Sequence, residues 1–236
     1  MGLATCRAGK VFILYDAERL CDAAAEVPPR PRLFDPEHWR GQGLVTGEAP
    51  GRGTSLFLAA GGGREWVLRP YRRGGFVARL SETHYLWTGL ERTRAFRELR
   101  LTANLHQLGL PVPPPVAAAV TRRGPAYEAA LITERIPGAR ALASRLEERR
   151  VDETLLVEVG RTIRRFHDAG LDHVDLNARN LLIDNRDRVW LIDLDRCRLR
   201  PKGRWQAANL ARLERSLTKF GARDAVVPIQ RGYEQG

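Results

Sequence analysis

The chain's 236 residues suffice for one sizeable core or two small lobes, and no run approaches the roughly 18 uncharged apolar residues of a membrane span. Three scattered cysteines, Cys6, Cys21 and Cys197, without C-x-x-C spacing, argue against a disulfide framework or a zinc site and fit a reducing compartment. A formal net charge of +11 points to an anionic partner: nucleic acid, an anionic membrane surface or a phosphorylated substrate.

In chain order, MGLATCRAGKVFILYD has no long apolar core ahead of a small-residue cleavage site. VFILY is short and runs into Asp16 and Glu18, so it reads as a strand over 10–16, with a helical piece near 17–25, and not as a signal peptide. A cytoplasmic location is expected. Residues 44–71 read as a small antiparallel sheet: TSLFLAA, a glycine-rich turn GGGRE, then WVLRPY. Gly51 and Gly53, in APGRGTS, suit a loop whose backbone N–H groups approach phosphates, although a plain hairpin turn explains them equally well. Arg69 lies on the next strand, where kinases carry a lysine for the α- and β-phosphates. Its guanidinium keeps the charge but presents a fork in place of a point ammonium. Arg72, Arg73, Gly74 and Gly75 follow as a basic turn suited to anionic groups.

Phe96, Leu99, Leu101, Leu105 and Leu108 have helical spacing over 91–108, and Gly109 with PVPPP ends that helix. Glu98 sits on it where it can pair with the strand cation, or serve as an ordinary surface charge. Two more strands flank an RRG turn, and the backbone near 134–136 would be the adenine-binding edge. Helices are expected over 142–149 and 152–169; the second has Asp152 as its cap and an apolar stripe of Leu155, Leu156, Val159, Ile163 and Phe166. A last helix is expected over 205–220, with leucines at helical spacing, and the tail from Gly221 is poorly patterned.

Between those helices lies HVDLNARN, then LLID, the polar turn NRDR, and VWLID, the pattern of a loop followed by a β-hairpin. The hairpin would bring Asp175 and Asn180 near Asp193. Kinase catalytic loops have this order: H-x-D, an Asn five residues after the Asp, and a metal-binding Asp beyond. Asp175 would accept the proton of an attacking hydroxyl. Asn180 and Asp193 would offer hard oxygens to a Mg²⁺ that also holds the phosphates of ATP, and His173 would hold the loop's backbone. Taken singly, each residue has a bland reading as a cap, an Asx-turn or a strand end. The ordered set carries the reading. Asp195 could assist the metal or pair with Arg196 or Arg198.

With these residues in view, the chain resembles the 3-deoxy-D-manno-octulosonic acid (Kdo) kinases of Gram-negative bacteria. The matching pieces are LFDPEHW, APGRGTS, WVLRPYRRGG, FRELRLTANLHQLGLPVPPPVAA, HVDLNARNLLID, VWLIDLDRCRLR and NLARLERSL, from about residue 33 to 217. Arg69, unusual among kinases, is itself part of the match. The resemblance implies an α+β, protein-kinase-like bilobal fold. Residues 1–134 would form an N-lobe of antiparallel sheet with one helix near 91–108, and 135–236 a mainly helical C-lobe. It implies transfer of the ATP γ-phosphoryl group, with Mg²⁺, to the 4-hydroxyl of Kdo on a lipid A precursor during lipopolysaccharide core assembly. The enzyme would work as a peripheral protein at the cytoplasmic side of the inner membrane, whose anionic surface the basic charge suits. No nucleic-acid partner is expected, since the arginine-rich runs lack interleaved aromatics; the oligomeric state is open. A heptose or antibiotic phosphotransferase would share HxD…N…D without LRxYRRGG, and a pseudokinase holding anionic lipid would share the charge without turnover.

Overall fold

The computed structural model describes residues 2–49, 55–71 and 85–236. Gly51, Gly53 and the basic turn 72–75 lie outside the described residues. The chain is α+β and divides into two compact units, 1–104 with 114–135 and 105–113 with 136–236.

The first unit is built on an antiparallel sheet. Its elements are β1 (Leu3–Ala8), β2 (Val11–Asp16), α1 (Ala17–Asp22), α2 (Pro36–Gly41), β3 (Val45–Ala49), β4 (Ser55–Ala59), β5 (Glu65–Pro70), β6 (Tyr85–Leu86), α3 (Arg94–Gln107), β7 (Pro115–Arg123) and β8 (Ala126–Glu134). Strand order is β1-β2-β7-β8-β5-β4-β3, with β6 pairing β8 beyond the end of β5. Alternation along each strand sends neighbours to opposite faces, and here both faces are apolar. Ile13 and Tyr15 join Trp39, Leu56, Leu58, Trp66, Leu68, Ala117, Ala119 and Ile132 in one cluster, capped by Leu20 of α1. Leu14, Ala118, Val120, Tyr127 and Leu131 turn to the other face and meet Ala95, Phe96 and Leu99 of α3. A strand buried on both sides loses its polar alternation, which is why β7 reads PVAAAV. β1, absent from the sequence reading, is an edge strand with half-exposed residues and so carries little apolar signal.

The second unit contains β9 (Arg140–Ala141), α4 (Leu142–Glu147), α5 (Glu153–Asp168), β10 (Leu171–Asp172), β11 (Leu181–Ile183), β12 (Val189–Leu191), β13 (Arg198–Leu199), α6 (Trp205–Lys219) and α7 (Val226–Gln235). Asp152 caps α5 as its sequence suggests, accepting the Leu155 N–H at 2.8 Å. The hairpin of β11 and β12 is in register Leu181↔Leu191, Leu182↔Trp190 and Ile183↔Val189. Its turn is shaped by Asp184, a buried carboxylate that accepts the N–H groups of Arg186 (2.8 Å) and Arg188 (3.1 Å), the Arg188 Nε–H (2.8 Å) and the Trp190 indole N–H (3.0 Å). Burial pushes this carboxyl up, but the bonds from Trp190, Arg186 and Arg188 outweigh it and hold the group below the usual carboxylate range.

Where the sequence suggests an unpatterned tail, α7 packs on α5. Pro228 and Gly232 mask it in the sequence, yet both suit it: proline is tolerated in a first turn, and glycine permits a close crossing. A Cβ at Gly232 would lie 1.9 Å from the Val157 carbonyl oxygen, and one at Gly160 2.0 Å from that of Ile229. His167 on α5 joins the two helices to α6, its Nδ1 2.8 Å from the Tyr233 hydroxyl and its ring edge-on to Trp205 at 5.2 Å. No helix among the described residues is long and apolar enough to cross a membrane.

Two measurements check this packing. Alanine for glycine inside a helix ordinarily stabilises by about 0.5–1 kcal/mol. Gly232→Ala should instead destabilise, by roughly 1–3 kcal/mol in chemical denaturation, because it drives a methyl into backbone. The second concerns pH. Burial pushes the His167 imidazole down from 6.5 to about 4. Between those values the unfolded chain binds a proton that the folded chain refuses, so stability falls as pH drops through that window. At 1.36 kcal/mol per unit the loss from this group is about 3 kcal/mol. His167→Gln, compared with the parent by urea denaturation at neutral pH and near pH 4, should show the smaller loss.

Candidate active site

Two groups of side chains concentrate the chemistry, one in each unit. In the first, Arg69 on β5 and Glu98 on α3 meet as the spacing suggests. Arg69 Nη2 donates to Glu98 Oε1, and the Tyr71 hydroxyl donates to Glu98 Oε2. Glu98 is buried, and a buried carboxylate is stable only with such donors. The sequence reading missed Tyr71. It supports the pair twice, because its ring also lies 5.0 Å under the Arg69 guanidinium. Tyr71 directly follows β5, two residues on from Arg69; that spacing was the available signal. At the expected adenine edge, the N–H groups of Glu134 and Arg135 are already bonded to Pro114 (2.8 Å) and Glu65 (2.9 Å). Neither is free to donate to a purine.

The second group surrounds the loop from Asp172 to Asn180. Asn177 shapes it as an Asx-turn, its Oδ1 accepting the N–H groups of Arg179 (2.9 Å) and Asn180 (3.2 Å) and its Nδ2 donating to the Asp175 carbonyl (2.9 Å). Asn180 Nδ2 donates to the same carbonyl at 2.9 Å, which leaves the amide oxygen as its remaining polar atom. Asp175 is exposed and accepts Arg212 Nη1 at 3.0 Å.

One face of α6 holds this loop. Asn209 stands in the buried row Trp205, Asn209, Leu213 and Leu217. It accepts the His173 N–H at 2.9 Å and donates to Asp172 Oδ1 at 3.1 Å. Arg200 satisfies the other oxygen of that buried carboxylate at 3.0 Å. Seven residues on from Asn209, Ser216 Oγ accepts the Ala178 N–H at 3.1 Å. Asn209, Arg212 and Ser216 thus bond the loop at its start, middle and end. The sequence reading saw the leucines of this helix and missed its polar residues.

The loop also fixes the strand end that carries Asp193. Its neighbour Ile192 donates its N–H to the Asn180 carbonyl and accepts His173 Nε2 on its own carbonyl, both at 3.0 Å. A carbonyl only accepts, so Nε2 carries the proton and His173 is the neutral Nε2–H tautomer. Burial pushes its imidazole below the ordinary value, against the opposing pull of the Ile192 carbonyl, Asp193 and Asp175. Asp193 itself adopts φ +60°, a left-handed conformation that costs an L-residue about 1–2 kcal/mol and that surrounding bonds must sustain. Arg198 and Arg200 pair with Asp172 (3.6 and 3.0 Å).

The amide oxygen of Asn180 and the carboxylate of Asp193 are hard-oxygen donors of the kind that would suit a Mg²⁺ shared with phosphates. Asn180 fits best, since its amide nitrogen is already committed within the loop.

Residues 36–231 match the model of the Lipopolysaccharide kinase (Kdo/WaaP) family. The chain belongs to that family. It is therefore a kinase. Among its relatives is a protein from Stenotrophomonas maltophilia named 3-deoxy-D-manno-octulosonic acid kinase, 46% identical over 98% of this chain and 90% of its own length. Proteins of the same name from Vibrio parahaemolyticus (43% identical, 88% of this chain and 84% of its own length) and Xylella fastidiosa (43%, 94% and 86%) are also similar.

The α6 contacts of this family member are open to test. Asn209→Ala leaves the Asp172 carboxylate and the His173 N–H short of a partner in a buried place. At about 1–3 kcal/mol per unpaired group, the variant should lose roughly 2–4 kcal/mol of stability in urea denaturation.

Proposed function

We propose that this kinase transfers the γ-phosphoryl group of ATP to the 4-hydroxyl of a Kdo residue carried on a lipid A precursor, during assembly of the lipopolysaccharide inner core. In this reading it is a bilobal enzyme, with residues 1–134 as one lobe and 135–236 as the other. It works as a peripheral protein at the cytoplasmic side of the inner membrane, where its charge of +11 favours an anionic surface. The observation that carries the reading is the tie of Ile192, and hence of Asp193, to the loop of Asp175 and Asn180, in a chain 46% identical to a relative named for Kdo.

The roles follow from the side chains. Asp175 is exposed and able to meet an incoming hydroxyl. It accepts the proton as the acceptor oxygen bonds to the γ-phosphorus; the bond from that phosphorus to the bridging oxygen breaks, and ADP leaves with the electron pair. Asn180 and Asp193 hold Mg²⁺, which supplies charge neutralisation at the phosphates. Arg69, held by Glu98 and Tyr71, meets the α- and β-phosphates. His173 stays neutral and works as a brace, not as a proton carrier.

Purified protein with Mg²⁺ and labelled ATP should label a Kdo-bearing lipid A precursor and leave the Kdo-free precursor unlabelled. Equal labelling of both would defeat the acceptor assignment. Asp175→Asn should lower turnover about 10²–10⁴-fold, the usual contribution of a general base. Its fold should survive, because the side chain is half exposed and its ion pair with Arg212 contributes little. Full turnover by that variant would remove Asp175 from the chemistry.

A further inference from the structure

Arg212 has no role in the mechanism so far, yet among the described residues it is the cation bonded to Asp175. The pair is half exposed, with side-chain exposures of 47% and 55%, so it adds little to stability. An arginine in that place calls for a second use.

Its surroundings suggest one. Asn209 and Ser216, three residues before and four after, bond the loop's backbone and so fix this stretch of α6 against it. Arg212 is therefore placed by the helix and does not reach the loop by chance. A guanidinium has five N–H donors in a fork that matches a carboxylate. Only Nη1 is engaged among the described residues, which leaves an edge open to solvent. The other cation of the loop, Arg179, lies over the Phe220 ring at 5.5 Å and is held there. The acceptor named for the relatives is an acid, and in a 3-deoxy-2-ulosonic acid one methylene separates the carboxylate-bearing carbon from the carbon of the 4-hydroxyl.

We propose that the free edge of Arg212 binds the carboxylate of the acceptor sugar while Nη1 stays on Asp175. Arg212 thereby selects an acidic sugar and sets its hydroxyl against the remaining oxygen of Asp175. This inference rests on the acceptor reading above and deepens it.

The test compares two acceptors, a Kdo glycoside and the same glycoside with its carboxylate converted to a carboxamide, using parent, Arg212→Gln and Arg212→Lys. The parent should prefer the acid in kcat/KM by about 10–100-fold, the worth of a charge-assisted bond. Arg212→Gln should lose that preference through a raised KM on the acid, with the carboxamide hardly affected, and Arg212→Lys should keep part of it. If Arg212 only positions Asp175, the Gln variant will lose kcat equally on both acceptors and keep the preference, which overturns the proposal. A parent that labels neither acceptor defeats the acceptor reading, and the inference falls with it. A parent that labels both equally defeats the inference alone. Thermal melting checks that both variants are folded, and Arg212→Lys carries the comparison if Arg212→Gln is not.

Discussion

The second unit turns on the backbone of Ile192. Both of its polar groups are claimed by the loop two strands earlier, the N–H by the Asn180 carbonyl and the carbonyl by His173 Nε2. A residue held at both ends cannot rotate its peptide planes without breaking a bond in a sheltered place. Asp193 comes next in the chain, and its left-handed φ is sustained by that anchorage. The loop reaches its shape by a similar economy. Asn177 closes the turn, Asn180 ties back to Asp175, and α6 bonds it from outside.

The parts legible in the sequence are those whose signal is local. The Asp152 cap and apolar stripe of α5, the hairpin around NRDR and the order His173, Asp175, Asn180 and Asp193 each lie within a short window, where periodicity and turn chemistry operate. The meeting of Arg69 with Glu98 was also legible, although 29 residues separate them, because strand and helix were both recognisable. What escaped has meaning only in three dimensions. Asn209 and Ser216 look like ordinary polar positions of a leucine-bearing helix until the loop lies against them. The tail from Gly221 reads as poorly patterned, whereas it contains α7, which uses Gly232 to approach α5. Tyr71 offered only its spacing from Arg69 as a sign that its hydroxyl would meet a carboxylate on another element.

Charge has a divided use. Many arginines are engaged structurally: Arg200 with Asp172, Arg64 and Arg19 with Glu134, Arg145 with Asp187. The carboxylates of these pairs are already subtracted in the net charge of +11, which sets 39 Lys and Arg against 28 Asp and Glu. Arg69 and Arg212 differ from those arginines in pairing with Glu98 and Asp175, residues of the candidate site, and each keeps contact with solvent.

The polar residues on α6 have a thermodynamic consequence. Ordering the backbone of a single residue costs about 1–2 kcal/mol, so a floppy loop would have to be organised anew at each encounter with substrate. Here that ordering is completed when α6 docks, long before any ligand arrives. Binding energy from the substrates is then free to act on the reacting atoms, and an ill-fitting sugar finds a surface that will not reshape itself to accommodate it.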